Sequence, residues 1–124
     1  MENQGSWHVR FTLSGGLGGL RKTVELSSMG RCILEDHKKR ERVTVDVAGE
    51  EMARIARLLA VTAQLQPIGQ NPACADCYHY QLDIQVDRQG FAFQANDLNL
   101  EKSGLVDLVK ALLDLQQRVA QHKL

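Results

Sequence analysis

Neither sign of charge prevails in this 124-residue chain: 15 lysines and arginines are balanced by 15 aspartates and glutamates. A nucleic-acid binder ordinarily carries a basic excess with which to displace counterions from phosphates, so that role is disfavoured. No apolar run approaches the roughly 18 residues that a bilayer span requires. The opening residues, Met1-Glu2-Asn3-Gln4-Gly5, lack the basic and apolar regions of a secretory signal. These absences predict a cytoplasmic protein with neither nucleic acid nor membrane as its partner.

Signatures of catalysis are also missing. There is no HExxH, no GxSxG and no Walker loop. His8 and His79 fall on polar strand faces, His37 in a charge run and His122 in the C-terminal tail, none beside a recognisable nucleophile. They read as surface histidines, and neither an enzyme nor a cofactor is predicted. Cysteine is scarce and odd in number: Cys32, Cys74 and Cys77. An odd count without an export signal argues against a disulfide framework and predicts unpaired thiols. Cys74-Ala75-Asp76-Cys77 is a single CxxC pair, whereas a structural zinc site usually takes four ligands from two such pairs. A zinc-stabilised arrangement of Cys32, Cys74, Cys77 and a histidine stands as the alternative to a metal-free domain. A thioredoxin-type redox pair would open a helix after a strand, and here a strand follows.

What is present is an ordinary globular composition, 44% hydrophobic and 24% charged, enough apolar residues to build a core rather than a disordered tail. Its length suits one domain over residues 1–124, with residues 1–5 and 120–124 as flexible tails. Trp7, Val9, Phe11 and Leu13 alternate with His8, Arg10, Thr12 and Ser14, the period of a half-buried strand. Ser14-Gly15-Gly16-Leu17-Gly18-Gly19-Leu20 follows, too rich in glycine for the interior of a helix or strand. Arg21–Leu26 returns as a second strand, so the two flank a hairpin loop. Ser27 to Glu41 has no clear period, and the charge run from Glu35 to Arg42 reads as a solvated loop or tip. Arg42–Val47 reads as a third strand.

A helix is predicted from Gly49, with Gly49 as N-cap and Glu50 and Glu51 suiting the positive end of its dipole. Met52, Ile55, Ala56, Leu59 and Ala63 form its apolar stripe, and Pro67 ends it. Tyr78–Val86 alternates as a strand. Asp87-Arg88-Gln89-Gly90 is read as a turn with glycine in the left-handed position, and Phe91, Phe93 and Ala95 continue a returning strand. A last helix starts at Ser103-Gly104 and turns Leu105, Leu108, Val109, Leu112, Leu115 and Val119 inward. The expected fold is α+β: an antiparallel sheet of four to five strands in the order β-β-β-α-β-β-α, with both helices on one face.

The glycine loop admits a phosphate-cradle reading, but that mechanism wants a helix N-terminus after the loop, and a strand follows. Two other readings stand side by side: a plain tight hairpin turn whose leucines fold back onto the core, and a loop for close approach to a second surface, with Leu17 exposed and Leu20 folding back.

The stretch Trp7-His8-Val9-Arg10-Phe11-Thr12-Leu13-Ser14-Gly15-Gly16-Leu17-Gly18-Gly19-Leu20-Arg21 resembles the opening of the emfourin family: a short strand, a Ser-Gly-Gly-apolar-small-Gly loop and a basic second strand. The helix from Glu50 to Ala63, the Asp76-x-x-x-Tyr80 strand and the Leu-rich C-terminal helix are similar at the level of pattern, so the likeness covers most of Trp7 to Val119. Two features depart from it: residues from about Ser28 to Arg42 look like an inserted charged loop between the second strand and the first helix, and the CxxC pair is not part of the family's pattern. The resemblance implies a reversible proteinaceous inhibitor of protealysin and related thermolysin-like zinc metallopeptidases, without metal or cofactor of its own. The implied contact is made by Ser14, Gly15, Gly16, Leu17, Gly18, Gly19 and Leu20, with the loop Gln66–Asn71 as a second contact. Such a protein is expected as a monomer or weak dimer. The rival expectation is a non-enzymatic interaction module that uses the open sheet face.

Overall fold

The computed structural model describes residues 6–65 and 72–122, with side chains to residue 118. The expected tail at 1–5, residues 123–124 of the expected tail 120–124, the helix stop at Pro67, the second contact loop Gln66–Asn71 and the inward side chain of Val119 lie outside the described residues. Residues 120–122, expected as tail, are instead the end of the last helix.

Among the described residues there are six strands and three helices. The strands are β1 (Trp7–Gly15), β2 (Leu20–Ser27), β3 (Arg31–Asp36), β4 (Glu41–Asp46), β5 (Tyr78–Val86) and β6 (Gln89–Asn96). The helices are α1 (Gly49–Thr62), α2 (Leu100–Ser103) and α3 (Val106–His122). The α+β class and antiparallel sheet are as expected, but the counts of four to five strands and two helices are low. The additional strand, β3, lies within the expected charged loop. Cys32 and Leu34 are buried there while Arg31 is exposed, so a short alternation is embedded among charges. Only residues 37–40 between β3 and β4 are turn. The additional helix arises because Gly104, at φ 82°, ends α2 instead of opening the last helix.

The sheet runs β4-β3-β2-β1-β5-β6, every neighbouring pair antiparallel. Its register lines up two apolar rows across all six strands on the helix face. One row is Val43, Leu34, Val24, Phe11, Leu82 and Phe93; the next is Val45, Cys32, Leu26, Val9, Ile84 and Phe91. Against them pack Ile55 and Leu59 of α1, Leu108, Val109, Ala111, Leu112 and Leu115 of α3, and Leu105 just before it. The α1 stripe is narrower than its spacing suggests: Met52 and Ala56 are only half-buried, and Thr62 is buried with its hydroxyl donating to the Leu58 carbonyl at 2.8 Å.

The N-cap of α1 is Ala48, without a side-chain hydrogen bond, rather than Gly49. The Arg118 guanidinium in α3 meets Glu51 at 2.6 Å and ties the end of the last helix to the start of α1. At the β5–β6 turn the left-handed position belongs to Asp87 (φ 54°), and Gly90 lies inside β6. No helix among the described residues is long and apolar enough to cross a membrane.

Phe11 sits at the middle of its row, fully buried. Phe11→Ala is expected to destabilise the fold by about 3–5 kcal/mol, read by urea denaturation; a loss below ~1 kcal/mol would contradict the placement of Phe11 at the centre of the core.

Candidate functional site

β1 and β2 carry the glycine loop at one end of the sheet. Gly15, the last residue of β1, pairs with both Leu20 and Tyr78. Residues 16–19 form a turn closed by the Gly19 N–H donating to the Gly16 carbonyl at 3.3 Å. The Gly16 N–H donates to the Cys77 carbonyl at 3.1 Å, and the Lys38 ammonium, from the β3–β4 turn, donates to the Gly18 carbonyl at 2.6 Å. The loop is therefore fastened from both flanks.

Glycine is required here for two reasons. Gly15 and Gly16 have φ of 96° and 74°, values that side chains disfavour. A Cβ on Gly15 would lie 2.7 Å from the Cys77 carbonyl oxygen, and one on Gly16 2.6 Å from the Tyr78 ring. At the tip, Leu17 is 90% exposed, whereas Leu20 is half-buried and Ser14 half-buried within β1. All seven predicted residues thus lie together, and Leu17 alone among them presents a large apolar side chain to solvent.

The wall behind the loop was not anticipated. Cys74 and Cys77 form a disulfide, with Cα atoms 5.6 Å apart. The expectation of unpaired thiols holds only for Cys32, which is buried. Parity of the total count misled because two cysteines three residues apart pair locally without a wider framework. The zinc arrangement of Cys32, Cys74 and Cys77 is not formed. Cys32 is level with Leu26 and Val9, whereas Cys77 lies beyond Gly15, six residues further along β1, or about 20 Å at strand rise. Burial pushes the Cys32 thiol up to about 11.

Two side chains at the end of β6, Asn96 its last residue and Asp97 just beyond it, secure the wall. Asp97 accepts from the Tyr78 N–H at 2.8 Å and from the Tyr80 hydroxyl at 2.6 Å. Burial, and then the Asp97 carboxylate, raise the Tyr80 phenol well above its ordinary value, so it remains a donor. Asn96, fully buried, donates to the Pro72 carbonyl at 2.7 Å and accepts from the Leu98 N–H at 2.9 Å. The available signal in the sequence was the CxxC pair directly before the strand that neighbours β1. Tyr78 and Leu98, both exposed, stand at this same end of the sheet as Leu17.

The opposite sheet face is polar. Arg10 lies between Glu25 and Asp83 in the register, its Nε 3.8 Å from the Glu25 carboxylate. With His8, Gln85 and Gly90 they border an open hollow of about 530 Å³. On this face Thr23 is buried, and its hydroxyl is 2.9 Å from His37 Nε2. No protein-family model and no curated protein matches the chain.

Two tests follow from the loop geometry. Gly19 (φ 62°) has open space around a Cβ, so Gly19→Ala is expected to cost only the left-handed penalty, about 1–2 kcal/mol. Gly15→Ala adds a backbone collision and should cost more in the same thermal melt; equal losses would contradict the close approach to Cys77. In thiol titration, the native protein should show no reactive thiol, denaturation should release one, and reduction should release all three. A second thiol on denaturation alone would contradict the disulfide.

Proposed function

We propose that this chain is a reversible proteinaceous inhibitor of thermolysin-like zinc metallopeptidases, with the Ser14–Leu20 loop as its contact. The likeness of the Trp7–Arg21 stretch to the emfourin opening supplies the peptidase class. The observation that carries the mechanism is Leu17, 90% exposed at the tip of a loop held on both flanks. An apolar side chain displayed on an already ordered loop enters a pocket without the further cost of ordering it.

Full burial of a leucine contributes about 1.5–3 kcal/mol, which corresponds to roughly ten- to a hundredfold in affinity. Peptidases cleave chains that lie extended through the cleft. The Gly19 to Gly16 hydrogen bond keeps the turn closed, so the peptide bonds beside Leu17 are poorly aligned for attack. The domain behind the loop blocks the cleft mouth, and no residue of the chain takes a catalytic part.

The test is titration of thermolysin and a protealysin-like peptidase with the purified protein and with Leu17→Asp. The expected result is reversible loss of activity with the added chain intact, and at least a tenfold weaker effect for the variant, whose fold is unchanged because Leu17 is not part of the core. Equal inhibition by both proteins would remove Leu17 from the mechanism. Absence of inhibition, or digestion of the chain, would overturn the reading.

A further inference from the structure

The two edges of the sheet are protected unequally. β4 carries Glu41, Arg42 and Asp46 along its length, the charges by which edge strands ordinarily discourage pairing. β6, Gln89-Gly90-Phe91-Ala92-Phe93-Gln94-Ala95-Asn96, has no charged residue and no proline, and among the described residues no strand lies outside it. Its Gly90, Ala92 and Gln94 are exposed.

Two hydrogen bonds determine which amides point outward. The Tyr78 N–H, on the β6 side of β5, goes to Asp97, and the Asn96 N–H goes to the Asn99 side chain rather than to β5. Alternation along an antiparallel ladder then makes Ala95, Phe93 and Phe91 the residues that exchange bonds with Tyr80, Leu82 and Ile84. Gly90, Ala92 and Gln94 aim their N–H and C=O groups away from the sheet.

We infer that β6 pairs with β6 of a second copy of this chain, antiparallel about a two-fold axis at Ala92, to make one continuous sheet. In this register Ala92 faces its own copy and Gly90 faces Gln94 of the second copy, giving about six backbone hydrogen bonds. Because the strand carries no charge, no like-charged pair is brought together, as self-pairing about an ionised residue would do. On the helix face Phe91, half-buried in the single chain, gains cover from Phe93 of the second copy, and both helix layers lie on the same side. The small side chains at Gly90 and Ala92 leave the polar face unobstructed. The glycine loop is at the end of the sheet and not on this edge, so the pairing is independent of the proposed inhibitory contact.

One paired edge buries less than ~1,000 Å², the size of weak, transient contacts, so the association is concentration-dependent. Sedimentation velocity up to ~1 mM is expected to show the mass rising from 13.8 kDa toward twice that value. Ala92→Pro removes an outward donor without touching the β5–β6 ladder, and should leave a folded monomer. Ala92→Glu and Ala92→Lys each place like charges at the axis and should each be monomeric, while their equimolar mixture regains the dimer. This rescue depends on register and does not rely on the proline variant folding. A wild-type chain that stays monomeric to ~1 mM, a dimer indifferent to Ala92→Glu, or a mixture that fails to reassociate would overturn the inference.

Discussion

β1 is bonded on both flanks, and its pairing with β5 is the constraint on which the core and the loop both depend. The same register that sets Phe11 opposite Leu82 sets Gly15 opposite Tyr78. A shift of one residue would turn Val9 and Phe11 to the polar face, and would also withdraw Gly16 from the Cys77 carbonyl. Core burial therefore acts on the loop at a distance: the apolar rows fix the register, and the register fixes where the turn meets its wall. The stacking of Phe11 on Tyr80, with centroids 6.4 Å apart, and the Tyr80 hydrogen bond to Asp97 join the two regions through one side chain.

Much of this frame was legible in the order of residues, and the exceptions have physical causes. Strict alternation located β1 and β5 because each has one buried and one polar face. β3 was hidden because its neighbours in sequence are charged, and two buried residues, Cys32 and Leu34, are too short a signal against that background. Gly90 suggested a left-handed turn, yet Asp87 took that conformation, as aspartate tolerates it better than most residues. The glycine loop could be located by composition, but not its support. Lys38 is 20 residues from Gly18 and Asp97 is 19 residues from Tyr78, and such contacts exist only once the sheet has formed.

The loop combines two properties that composition alone would set against each other. Glycines make an unfolded chain flexible, yet here they permit an approach so close that the backbone is fixed by Cys77, Tyr78 and Lys38. The disulfide at Cys74–Cys77 confines the segment that receives the Gly16 amide. With its backbone held at Gly16 and Gly18, the tip displays Leu17 to solvent, which suits the proposed inhibitory contact. The glycine loop and the bare β6 edge are separate surfaces, so the proposed cleft binding and self-association do not compete for the same residues.

The central claim is that Leu17 and its loop occupy the catalytic cleft of a thermolysin-like peptidase. Competition calorimetry tests it most directly: the chain is titrated into the peptidase alone, and into the peptidase saturated with a small zinc-directed active-site inhibitor. The account predicts that the heat of binding seen with the free enzyme disappears when the cleft is filled. Binding of undiminished affinity to the filled enzyme would contradict it.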